Sequence, residues 1–139
     1  MRKIIIIFTL SLITLSFFNT DIARAVDENY TQLTYENVYR MCIYYGLEHP
    51  EIVVAQSILE TGHYKSSQCI NNNNLFGLYD SNANKYFEFS HWTKSIMAYK
   101  DMVQYRYEGG DYYKFLNNIG YATDVKYTKK VKDIVKNIE

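Results

Sequence analysis

Glu60 stands near the end of an apolar stretch, residues 52–61, with Gly62 two positions on and an amide-rich run at 71–74 beyond it. A single acid at the end of an apolar helix, facing amides, suits general acid work on a glycosidic bond. Such an acid must hold its proton at neutral pH, so its pKa must rise well above about 4.3. A helix C-terminus disfavours a carboxylate by only about 0.3–1 kcal/mol. That is less than one pKa unit, at about 1.36 kcal/mol per unit. Desolvation has to supply the rest, and Val53, Leu59, Tyr64 and Phe76 are neighbours suited to it. Gln56 lies one turn earlier on the same stripe and is expected to contact substrate.

Other chemistries find weaker support. Glu60 and His63 make one E-x-x-H with Gly62 between them; two such copies are needed for a di-metal site. His49 and His91 have no partner at ligand spacing, so no metal or cofactor is expected. Cys42 and Ser57 lack an obvious His base for acyl transfer. The fifteen tyrosines, all after residue 25, offer faces on which sugars stack. Trp92 falls on an apolar stripe and reads as core.

The elements that position Glu60 read as helices. Thr34 suits an N-cap, Val38, Met41, Cys42 and Tyr45 follow at helical spacing, and Gly46 is placed as a stop. Pro50 suits the first turn of the next helix and Glu51 its dipole. Residues 65–90 must hold any irregular structure, with turn formers at Asp80, Asn82 and Asn84 and one short strand at 86–89. Ser90 or Thr93 is expected to cap a third helix, with Trp92, Ile96, Tyr99 and Val103 as its buried stripe and Gly109-Gly110 as its end. Tyr112, Leu116 and Ile119 mark a brief fourth helix stopped at Gly120. Thr123 is expected to open a last helix carrying Tyr127, Val131, Ile134 and Ile138. The fold class is therefore mainly α, a small helical domain over 34–139 with one reduced irregular excursion.

The N-terminus reads as a secretory signal over residues 1–25. Arg2 and Lys3 precede an apolar run at 4–18, and Ala23-Arg24-Ala25 supplies a cleavage site. The run falls short of the roughly 20 residues a spanning helix needs. No Cys follows it, so a lipid anchor is not supported. A short leader, 26–33, is expected next, and the protein is expected outside the cytoplasm as a monomer. Losing Arg2, Lys3 and Arg24 against Asp21 takes the formal charge from 0 to −2. That balance leaves no electrostatic footprint for nucleic acid or an acidic membrane. Cys42 and Cys69 would meet an oxidising compartment, where one bridge would stabilise by roughly 3–4 kcal/mol.

Two blocks carry a resemblance. "AQSILETGHYKS" followed by "NNLFGL", and "GYATDVKYTKKV" from Gly120, are similar to the signature of family 73 of the glycoside hydrolases. These are bacterial endo-β-N-acetylglucosaminidases that cut peptidoglycan on a lysozyme-like fold. The resemblance spans roughly residues 35–138. It implies Glu60 as general acid, Asn74, Phe76 and Gly77 in the loop that shapes the cleft, and Tyr121 as an assisting tyrosine. It implies peptidoglycan glycan strands as partner. The family often carries a longer β-rich lobe with a second carboxylate, where this chain has only 79–89. Glu88 is the first candidate for that partner and Asp80 the second; the substrate's own 2-acetamido group is the third route. A lytic transglycosylase and a non-catalytic glycan-binding module are the competing functions.

Overall fold

The computed structural model describes residues 32–138. The expected signal segment 1–25, and the leader 26–33 except for its last two residues, lie outside that range. Six helices and one two-stranded hairpin make up the described part, so the mainly helical class holds.

Helix α1, Tyr35–Tyr44, starts where Thr34 Oγ1 accepts from Asn37 N at 3.2 Å. It buries Val38, Met41 and Cys42, and Gly46, at φ 65°, turns the chain away. Helix α2, Pro50–Thr61, has Pro in its first turn. All seven residues from Ile52 to Ile58 are buried, so this helix is central and not a surface helix with one apolar stripe. It packs against α1 and against the last helix. Gly62 ends it at φ 55°, with His63 N donating to Ile58 O at 2.9 Å.

The excursion contains a helix that the sequence pattern does not show, α3, Ser67–Asn72. The Ser66 side chain caps it by accepting from Cys69 N, and Asn73 leaves it in a left-handed conformation, φ 51°. Strands β1, Tyr79–Asp80, and β2, Lys85–Tyr86, pair antiparallel with Tyr79 opposite Tyr86. The expected strand at 86–89 thus begins one residue early and keeps only Tyr86. Beyond it, Phe87 N still donates to Leu78 O and Phe89 N to Asn72 O.

Helix α4, Trp92–Met102, is capped by His91, whose Nδ1 accepts from Thr93 N. Its buried residues include Trp92, Ile96 and Tyr99, and the following Val103 is buried too. The helix stops well before Gly109. A 3₁₀ turn at Gln104–Arg106 follows, because Gln104 turns its amide inward onto the main chain of Glu48. Helix α5, Tyr112–Asn118, has Asp111 as its cap and Gly120 just beyond its end. Helix α6, Tyr127–Ile138, begins four residues after Thr123. Asp124 delays it by accepting from Lys126 N on its side chain and from Tyr127 N on its carbonyl. The core that joins α2, α5 and α6 is Ile52, Ala55, Tyr112, Leu116, Tyr127, Val131 and Val135.

Candidate active site

Glu60 projects from the last turn of α2 into a cleft of about 660 Å³. Phe76 and Gly77 form one wall, Tyr121 and Tyr127 the other, and Arg106, Asp124 and Lys130 stand at the rim. Gly77 comes close: a Cβ built there would lie 3.8 Å from Glu60 Oε2, at a φ of 60° that side chains rarely adopt. The φ is what asks for glycine, since a Cβ there would sit in ordinary contact with the carboxyl.

Glu60 is exposed as a whole residue, yet protein crowds its carboxyl group. That partial burial raises its pKa above the ordinary carboxylate value, opposed by a hydrogen bond from the Tyr127 side chain. Desolvation wins, which is the direction a general acid requires. Burial also pushes the Tyr127 phenol up, with the Glu60 charge adding to it. Tyr127 is thus a neutral donor across the working pH range.

Tyr121 stands beside this pair. Its ring lies 5.4 Å from that of Tyr127 and 6.1 Å from that of Tyr99. Burial, and the neighbouring Tyr127 and Glu60, hold its phenol protonated well beyond its ordinary range. The Tyr121 hydroxyl is sealed from solvent and makes no well-formed hydrogen bond among the described residues, although the Tyr127 hydroxyl lies beside it and adds to the rise. An orphaned buried hydroxyl is costly to keep. The ring of Tyr121 lines the cleft while its hydroxyl is turned into the protein.

Residues 35–139 match the glucosaminidase family, described as mannosyl-glycoprotein endo-beta-N-acetylglucosaminidase. This chain belongs to the glucosaminidase family. No curated protein matches it. Membership makes it one of a family of glycan hydrolases, and the cleft of this glucosaminidase can be compared with what its sequence suggests.

The structure brings Glu60, Tyr121, Phe76 and Gly77 together at one cleft. Two residues expected to touch substrate serve the interior instead. Gln56 is wholly buried, with its amide held by Tyr99 and Tyr127. Asn74 is also buried; its Nδ2 donates to Leu78 O and Phe87 O, and its Oδ1 accepts from Leu78 N. It stitches the cleft loop to the hairpin. Both side chains are sealed from solvent and so do not reach the cleft surface.

The candidate second acids do not line the cleft. Glu88 is exposed beyond β2, between Phe87 and Phe89, whose rings stack with each other. Asp80 spends its Oδ1 on Asn82 N and Ala83 N in the hairpin turn. The carboxylate that does join Glu60 in the cleft lining is Asp124. Lys130, at 2.6 Å, and Lys126 N hold it below the usual carboxylate range. It is committed to starting α6.

The expected bridge between Cys42 and Cys69 is not formed: both are buried free thiols. Among the described residues no cluster of His, Cys, Asp or Glu is arranged to hold a metal ion, and no helix is long and apolar enough to cross a membrane. The residue that pattern reading passed over is Tyr127, taken as one of a helical apolar stripe. Its position six residues after Tyr121, at the start of the final helix, is the signal available in the sequence.

Proposed function

We propose that this glucosaminidase is an exported enzyme that hydrolyses the β-1,4 bond after N-acetylglucosamine in peptidoglycan glycan strands, with Glu60 as general acid. The observation that carries the reading is the meeting of Glu60, its carboxyl partly buried and its pKa raised, with Tyr121 and Tyr127 at one cleft. Glu60 gives its proton to the glycosidic oxygen, so the leaving sugar departs as an alcohol. Glu88 and Asp80 stay outside the cleft lining, which favours the substrate's 2-acetamido oxygen as the nucleophile at the anomeric carbon. The Tyr121 ring, which lines the cleft beside Glu60, shapes the space in which that group approaches. Water then opens the cyclic intermediate, returning a proton to Glu60. The apolar run at 4–18 and the Ala23-Arg24-Ala25 site support export.

The test is digestion of purified sacculi followed by mass spectrometry of the new chain ends. Reducing N-acetylglucosamine ends are expected. Ends in 1,6-anhydromuramic acid would make the protein a lytic transglycosylase, and binding without new ends a glycan-binding module.

A further inference from the structure

A chain of buried hydrogen bonds crosses the described helices and ends at Tyr127, which lines the cleft with Glu60. It begins at the main chain of Glu48, in the turn between α1 and α2. Glu48 N donates to Gln104 Oε1 at 2.9 Å, and Gln104 Nε2 donates to Glu48 O at 2.8 Å. The same Nε2 donates to Tyr112 Oη at 2.9 Å. Tyr112 and Tyr99 hydroxyls lie 3.0 Å apart, Tyr99 donates to Gln56 Oε1 at 2.7 Å, and Gln56 Nε2 donates to Tyr127 Oη at 3.2 Å. Tyr127 lines the same cleft as Glu60, near enough for its hydroxyl to oppose the rise in the Glu60 pKa. Gln56, Tyr99, Tyr112 and Gln104 are all buried.

The direction of this chain is fixed at its far end. A main-chain N–H only donates and a carbonyl only accepts, so Glu48 leaves the Gln104 amide one orientation. Tyr112 therefore accepts from Gln104 and has its own proton free for Tyr99. Tyr99 passes its proton to Gln56 Oε1, which turns the Gln56 NH₂ toward Tyr127. Tyr127 already accepts there, so its proton is left free for the cleft that Glu60 lines. Reversing Gln56 would strand the Tyr112 proton without an acceptor in the interior, a costly arrangement.

We propose that Gln56 is a positioning residue that aims the Tyr127 hydroxyl at Glu60, and that this one-way relay, anchored at the Glu48 main chain, sets the proton affinity and orientation of the acid. The relay rests on the reading of Glu60 as general acid only for its effect on rate; its effect on Glu60 titration stands apart. Removing the last donor, in Tyr127→Phe, takes a hydrogen bond from the carboxylate form, so the Glu60 pKa rises further, by roughly one pH unit. Gln56→Met frees the Tyr127 hydroxyl to turn away, giving a smaller rise in the same direction.

The experiment titrates side-chain ¹³C-labelled Glu in the full protein by NMR, with Glu60 assigned from Glu60→Gln, and measures the pH profile of kcat/KM on sacculi in parallel. An upward move of both the Glu60 titration and the alkaline limb is expected in both variants, with kcat lowered about tenfold and KM little changed. Leu116→Ala, in the same core but off the relay, serves as the control and leaves the titration in place. A Glu60 titration that moves while the alkaline limb does not keeps the relay and removes Glu60 as the acid. A titration unchanged in both folded variants overturns the relay.

Discussion

Glu60 has to be uncomfortable as an anion to work as an acid, and that discomfort is measurable. Its folded pKa is raised by burial, so ionising it costs the folded state stability as pH rises through the folded value. Below the unfolded pKa, near 4.3, the cost is absent. Glu60→Gln is therefore expected to match the parent protein in melting temperature near pH 4 and to exceed it at pH 7–8. A melting temperature below the parent's at every pH would mean that the carboxylate is stabilising. Tyr121 carries the same logic in a hydroxyl. Its unpartnered buried Oη means that Tyr121→Phe should leave stability unchanged or raise it by up to about 1 kcal/mol, with little change in activity on sacculi because the ring that lines the cleft remains. A loss of stability comparable to that of an ordinary buried hydrogen bond would show that the hydroxyl is satisfied in the free protein.

The elements divide by how locally they are specified. Helices α1, α2 and α5 announce themselves through Thr34, Pro50 with Gly62, and Gly120, residues whose backbone preferences act within one turn. Helix α3 escapes because its sequence, SQCINN, has neither periodicity nor a strong former; Ser66, the Asn72–Gln68 bond and tertiary packing hold it. The end of α4 and the start of α6 are misplaced for one reason. Side chains of Gln104 and Asp124 bind main-chain groups there, and such bonds leave no hydrophobic pattern. That Glu60, Tyr121, Phe76 and Gly77 meet at one cleft was legible in the two sequence blocks that carry them. Gln56 and Asn74 were misread because a polar side chain in a motif looks the same facing a sugar or facing the core. The seam of α2, α5 and α6 should be the stabilising one. Leu116→Ala, at a site 1% exposed, is expected to lower unfolding free energy by about 2–5 kcal/mol in urea titrations, and a change below 1 kcal/mol would argue against that core.

Across the whole molecule, helices around α2 hold the cleft without help from a long lobe or a covalent staple. The short hairpin supplies Tyr79 to the cleft lining but neither Asp80 nor Glu88, so the proposed chemistry is assigned to Glu60. The two thiols stay apart from this. Burial pushes Cys42 up to about 12 and raises Cys69 as well, which keeps both as unreactive thiols even in an oxidising compartment. Alkylation without reductant is expected to label neither in the native protein and both after denaturation; a mass showing no label after denaturation would restore the bridge.

The central claim is that Glu60 protonates the glycosidic bond, and the most direct measurement compares Glu60→Gln with the parent protein on purified sacculi. The account predicts that new reducing N-acetylglucosamine ends fall by about a thousandfold or more, the scale on which general acid and positioning effects combine, while the variant stays folded and still binds glycan. A folded Glu60→Gln that releases ends at the parent rate would contradict it.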